Sequence, residues 1–470
     1  MRAMCLVFWG GRNAKHPAFY YKVRFQAAQG ALLKGPMWKH LQDRQTGSEK
    51  PQVTAARIAK SRLLALDLST SKEISSGHRS GVTSLQVDNT EQRYLLSGAS
   101  DGSLAVHDTQ VPTKYEQDGT AVHERLFKID KRTEGAHQYA VSSVSWYPID
   151  TGLFVSGSFD DTVKCWDTNT LQVEMTFSLP AKVFAVAMSP VAVTHTLIAV
   201  GSGDTRVRLC DVSSGGFAHS LAGHRDAVWA VTWSLSSEFV LMTGGCDGAI
   251  RFWDIRRAGC FKVLDQHKTQ MGRRPPPRPQ DTRTDPPNAL QQREGRGPKR
   301  RGAPDRPQLL HPGMASALDR TSAHDAPVTS LQGTPDGQYL FSTGADSRLR
   351  LWDIETGNNT LVNYRTTRGK ANRGTQIAVS PDSSHVYQPS GSVIQAFDVW
   401  SGEPHATLRG HFEGVNCCTF QAHDQEMYSG GNDRQILVWE PPAPAKVLED
   451  EHADQDNWSD DEGKLDYGFP

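Results

Sequence analysis

Between Val228 and Leu264 apolar and polar positions alternate in short runs. Val228, Val231 and Trp233 mark one strand, Phe239 to Thr243 a second, Ala249 to Trp253 a third, and Lys262-Val263-Leu264 an outer fourth. A period of two, with Cys246-Asp247-Gly248 between the second and third runs, predicts antiparallel strands joined by tight turns. The third run ends on an aromatic residue followed by an acid, and such an ending, an aromatic or apolar residue before an acid, recurs along the chain. It stands at Asp108, Asp167, Asp211, Asp254, Asp353, Asp398 and Glu440.

The recurrence carries further markers at fixed spacing. An acid lies seven residues before six of the endings: Asp101, Asp160, Asp204, Asp247, Asp346 and Asp433. Five copies have a histidine about thirty residues before the ending, His78, His137, His224, His324 and His411. Midway stands a hydroxyl residue, Ser97, Ser156, Thr243, Ser342 or Ser429, ten residues before the strand tryptophan position. That position holds Trp166, Trp253, Trp352 and Trp439 in four of these copies. Where no insertion intervenes the period is about 43 to 45 residues, the length of a propeller blade. The pattern resembles the WD repeat, from Leu63 to Glu440. The resemblance implies that the His, Ser/Thr, Asp and Trp of each blade hydrogen-bond into one polar lock. A buried acid and imidazole are costly alone, and a closed network satisfies both. Seven endings predict an all-β fold, a ring of seven four-stranded blades. The third copy, with Cys210 in place of Trp, and the sixth, around Gly374 to Asp398, are degenerate and lean on their neighbours.

A ring must hide its sheet edges. Leu63 to Leu68 reads as a strand, expected to be the outer strand of the last blade. Before it, residues 37–62 predict a helical leader of two short helices around a Gly-Ser-Glu-Lys-Pro break, with Trp38 and Leu41 at helical spacing. Residues 1–36 lack periodicity and are expected to be disordered. Residues 268–320, rich in Pro and Arg, interrupt the propeller between the fourth and fifth copies as a disordered insertion on its top face. Within it, Lys299-Arg300-Arg301 would suit a nuclear address or a weak nucleic-acid contact. Residues 441–470 predict an acidic, disordered tail.

Composition adds mainly exclusions. With 51 basic and 52 acidic residues the net charge is −1, so nothing global predicts nucleic-acid or membrane binding. Seven cysteines without a C-x-x-C pair make structural zinc and a disulfide scaffold poor readings, and no cofactor or metal is expected. Cysteines inside apolar strand patterns fit reduced thiols of an intracellular protein. Ser, His and Asp recur together in every regular copy. A catalytic triad would not recur five times, so these residues belong to the fold and no enzyme is expected. Trp146, Trp229 and Trp233 fall in strand patterns and are expected to pack between blades.

A more specific resemblance rests on Arg44-Gln45-Thr46-Gly47, Trp146-Tyr147-Pro148, Trp166 to Gln172, Trp253 to Arg257, Leu264 to His267, Asn359 to Tyr364, Cys417-Cys418 and Trp458 to Gly463. Together these are similar to the Cockayne syndrome group A family of WD-repeat proteins. That family implies a nuclear substrate receptor of a cullin-RING ubiquitin ligase, acting in transcription-coupled nucleotide-excision repair. Its partners would be the ligase adaptor and cullin, repair factors and the stalled RNA polymerase II complex. The leader, with Trp38, Leu41 and Arg44, would dock on the adaptor beside Trp253, Asp254 and Arg256, because Trp253-Asp254-Ile255-Arg256 matches the W-D-x-R motif of such receptors. The alternative is a WD scaffold unconnected with ubiquitin ligases.

Overall fold

The computed structural model describes residues 45–47, 50–257, 259–266, 322–366 and 374–441. Among these the chain is built almost wholly of β-strands, with the fourth repeat showing the plan. Strands Val228–Trp233, Val240–Gly245, Ile250–Asp254 and Cys260–Leu264 pair in sequence order, each antiparallel to the last. The innermost strands of successive sheets touch one another, and the inner strand of the last, Val415–Gln421, touches that of the first, Val82–Val87. The sheets therefore close into a propeller ring. Because strands alternate in direction, all first-to-second and third-to-fourth turns lie on one face. The second-to-third turns and the connections between sheets lie on the other.

The expectation of seven like, four-stranded blades is corrected. Six sheets are simple antiparallel blades, and one of these, Val328–Gly333 with Tyr339–Gly344 and Leu349–Asp353, has only three strands, with Asn359 bridging singly to Trp352. In place of a seventh such blade stands a composite sheet of seven strands. Its strand Ile436–Glu440 is flanked by two short pieces from the start of the chain, Asp67–Leu68 and Lys72–Ile74. Lys72–Ile74 then pairs in parallel with Ala121–His123, which forms a hairpin with Lys114–Tyr115. The excursion after Asp108 thus widens the sheet that shuts the ring.

The closing strand also starts later than Leu63. Helix Pro51–Leu64 runs through Leu63 and Leu64. Proline suits its first position, where the missing N–H is not needed. Of the two leader helices expected, this is the second, extending two residues beyond Arg62. The first lies almost wholly outside the described residues, as do residues 1–36, the insertion 268–320 and the tail beyond Pro441. The insertion's flanks meet, since Gln266 N donates to Ser322 O at 3.1 Å, and both Ala323 and His324 donate to Gly248 O. The insertion therefore leaves and rejoins the ring at one point on the second-to-third turn face.

Glycines set the distance between neighbouring sheets. A Cβ on Gly98, Gly157, Gly244 or Gly430 would lie 2.6–2.7 Å from a γ-methyl of Val141, Val183, Val328 or Val82 on the next inner strand. Only the absent side chain lets that valine sit flat on the sheet. Side chains stitch the same junctions. Gln86 Oε1 accepts from Trp146 N, and the Trp146 indole donates to Gln86 O. Gln376 pairs through both amide atoms with the backbone of Leu85.

The seam is held by packing and charge. Leu66 is buried in one cluster with Trp439, Leu408 and Val415. Ser69 and Ser71 both donate to Glu440 Oε1 at 2.6 Å, and the Lys72 ammonium pairs with Glu426 beside Tyr428. A chain beginning at Ser75 loses all of these contacts and exposes the edge of Ile436–Glu440. It is expected to lose the single cooperative thermal transition of the full chain, followed by circular dichroism. An unchanged melting curve would refute the role given to the seam.

Candidate docking faces of the ring

The histidine, hydroxyl, acid and tryptophan of the repeat meet in space. In the second blade His137 Nδ1 lies 2.8 Å from Asp160 Oδ2, and Nε2 lies 2.7 Å from Ser156 Oγ, which also accepts from Trp166 Nε1 at 2.8 Å. The fourth blade repeats this with His224, Asp247, Thr243 and Trp253, the fifth with His324, Asp346, Ser342 and Trp352. The closing sheet uses His411, Asp433, Ser429 and Trp439. With a neutral imidazole protonated on Nδ1, every donor has an acceptor: the ring N–H to carboxylate, hydroxyl to Nε2, indole to hydroxyl. The first blade differs. His78 Nε2 bonds Ser97, but Nδ1 meets Ser103 Oγ, and Ser103 relays to Asp101. Its Trp position is His107, which bonds Ser75 O.

Burial disfavours the charged imidazole at His78, His224 and His324. It pushes His78 down to about 4, with nearby His107 adding to the effect, and it lowers His224 and His324. Burial alone would raise Asp247, but the bond to His224, the attraction of that imidazole and the N–H groups of Arg225 and Ala249 together outweigh it and bring it to about 2. Asp160 and Asp346 lie below the usual carboxylate range for the same reason, through His137 and His324.

The central channel, about 610 Å³, is lined by inner-strand residues such as Ser84, Ser143, Gln86, Thr329 and Gln376. Among the described residues, none of those lining it is Asp, Glu, Lys, Arg or His. Among the described residues no group of three or more His, Cys, Asp or Glu is placed to hold a metal ion. The six cysteines described are free thiols, five of them buried. The locks are buried too, which leaves the faces for interaction.

Arg256 occupies the face that carries the third-to-fourth turns. Its Nε and Nη2 donate to the two oxygens of Asp254 at 3.0 and 2.8 Å, and its guanidinium carbon lies 4.3 Å from the centre of the Phe239 ring. Arg256 is 56% exposed while Asp254 is buried, and the bond to Arg256 keeps the Asp254 carboxyl below its usual range. The guanidinium is therefore held by Asp254 and Phe239 while the side chain stays more than half exposed. Trp253 was expected beside it as a contact residue, and this is corrected. Trp253 is fully buried, bonded to Thr243 and packed with Trp233 and Leu241, so it can support the surface but not touch a partner. Trp38, Leu41 and Arg44 lie outside the described residues. Phe239, which carries Arg256, was legible only as a strand residue. Trp146 and Trp233 are buried as expected, and Trp229 is partly exposed.

Comparison with known proteins matches these features. The family model for the WD domain, G-beta repeat, fits residues 70–108, 130–167, 215–254, 316–353 and 402–440, the five copies with a histidine lock. WD repeat-containing protein ATCSA-1 of Arabidopsis thaliana is 50% identical over 450 residues, spanning 90% of this chain and all of the relative. Ribosome biogenesis protein WDR12 homologues of Drosophila mojavensis and Drosophila yakuba are 28% identical over 39% of the chain, which spans only 43% of their length.

Two outcomes test the locks. Thr243→Val removes the shared partner of His224 and Trp253 and is expected to cost about 2–4 kcal/mol, measured by urea denaturation, since each orphaned buried group costs about 1–3 kcal/mol. The pH dependence has a defined sign. Histidines held neutral in the fold bind protons more readily when unfolded, so their contribution is present above about pH 6.5 and is lost on acidification toward 4, by about 1.4 kcal/mol per pH unit per histidine. The melting temperature should be level from pH 8 to 7 and fall steadily below 6.5; a level profile down to pH 5 would contradict this. From the repeats, their locks and full-length similarity to ATCSA-1, the chain belongs to the CSA-like WD-repeat proteins, whose propellers serve as scaffolds for other proteins.

Proposed function

We propose that this protein is the substrate-recognition subunit of a nuclear cullin-RING ubiquitin ligase acting in transcription-coupled nucleotide-excision repair. It bridges the ligase adaptor to repair and transcription proteins. The observation that carries the reading is Arg256, a guanidinium clamped by Asp254, laid on Phe239 and exposed at the end of a W-D-x-R sequence. Such an arginine has already lost its rotamer freedom, so a forked contact with a carboxylate or carbonyl group of the adaptor costs less entropy. The helix Pro51–Leu64 supports the same placement. Arg62 donates to Asp424 O and His405 bonds Leu64 O, so its end rests on two turns of the Arg256 face.

On this reading the chain performs no chemistry. It raises the effective concentration of a substrate lysine near the charged conjugating enzyme, turning a bimolecular encounter into an intramolecular one. The test is capture of the purified adaptor–cullin complex by the full-length chain. Arg256→Ala is expected to weaken capture about thirtyfold, the loss of a typical central contact worth about 2 kcal/mol. Combination with deletion of residues 37–62 should abolish it. Capture that survives both changes would leave the protein a WD scaffold outside the ubiquitin system.

A further inference from the structure

The turn before strand Leu197–Ser202, residues 189–196, lies on the same face as Arg256 and is tied to it through a continuous set of contacts. Glu238 Oε2 accepts the N–H of Val193 at 2.8 Å and of Thr194 at 3.1 Å. His195 Nε2 bonds the backbone oxygen of Glu238 at 2.8 Å, and its ring lies 5.2 Å from Trp233 and 6.2 Å from Phe239. Phe239 in turn carries Arg256. The turn of the third blade is thus fastened to the fourth by one carboxylate and one imidazole.

Pinned this way, the turn holds Val193 outward, 88% exposed, with Val191 beside it 40% exposed. Ile149, 55% exposed, occupies the equivalent turn of the second blade. A single exposed valine on a loose loop needs no explanation. Here the N–H groups of Val193 and Thr194 are bound, the neighbouring imidazole packs tilted against Trp233 and Phe239, and the side chain is presented beside a guanidinium that is itself clamped. Ordering costs on binding are met in advance. The two N–H groups also hold the Glu238 carboxyl below its usual range, so the fastening carboxylate stays charged through the neutral range.

We propose that Val193 is the apolar anchor of the surface whose polar anchor is Arg256, and that both engage one rigid partner. That partner offers an acceptor group opposite Arg256 and an apolar hollow beside it that takes Val193. The proposal rests on the reading of the Arg256 face as the adaptor-docking surface. It extends that surface from one blade to two and assigns Glu238 and His195 as positioning residues. Continuity decides between one occupant and two. Val193, Glu238, Phe239 and Arg256 form an unbroken chain of contacts within adjoining turns, so a protein surface that covers one meets the other.

The experiment uses the full-length chain and the purified adaptor–cullin complex, with affinity measured by biolayer interferometry and folding checked by thermal melting. Val193→Asp places an uncompensated charge in an apolar hollow and should weaken binding by tenfold or more with the melting temperature unchanged. Val193→Thr, nearly the same shape, should weaken it by less. Tyr139→Asp, on the opposite face, is the control and should bind like the unaltered chain. If Arg256→Ala weakens binding while Val193→Asp does not, the anchor role is refuted and the docking reading stands. If neither changes binding, the docking reading itself falls, and this inference with it.

Discussion

The molecule depends on one constraint: a circle of sheets has to be shut by strands that are distant in sequence. The outer edge of Ile436–Glu440 would be open without Asp67–Leu68 and Lys72–Ile74. The seam combines apolar burial at Leu66 and Ile74 with a charged knot of Lys72, Glu426 and Tyr428 and two serines on Glu440. A nearly buried ion pair adds little by itself, but here it fixes register along an edge where backbone pairing is short. Once the seam is shut, each inner strand has neighbours on both sides. The glycine–valine contacts and the Gln86 and Gln376 stitches then hold the turns of both faces as fixed platforms.

Much of this was legible in the sequence because the locks need particular atoms at particular places. An imidazole that must reach a hydroxyl and an acid on one blade imposes spacings that show without alignment, and His137, Ser156, Asp160 and Trp166 have the predicted proximity. The departures have equally physical causes. The closing sheet is composite because a hairpin at residues 114–123 adds parallel to Lys72–Ile74, and parallel pairing over three residues leaves no periodic mark. Leu63 and Leu64 fit a strand or a helix, and the helix begun at Pro51 claims them. The glycine–valine junctions did carry a signal, a glycine directly after the hydroxyl residue in Ser97-Gly98, Ser156-Gly157, Thr243-Gly244 and Ser429-Gly430. Read as a requirement for close approach, those pairs mark the blade junctions.

The surface was harder to read than the core. The motif Trp253-Asp254-Ile255-Arg256 joins residues of opposite fate: an indole in the interior, a carboxylate beneath the surface, and a guanidinium outside. Only the last can meet a partner. The platform under it, Phe239, and the strut beside it, Glu238, belong to a different turn. No spacing rule connects positions 193, 238 and 256, because the ring brings them together across two blades.

The same reasoning explains why side chains that look reactive in the sequence belong to the fold. A histidine sharing a hydroxyl with a tryptophan has both nitrogens occupied, and the burial that holds His224 and His324 neutral also keeps substrates away. Each lock uses up catalytic-looking groups to hold a turn. The cost is sensitivity to acid; the gain is that turns are held by side chains as well as by strand pairing. On the proposed reading, in which the protein holds two others at a set separation, what counts is the positional accuracy of the rim.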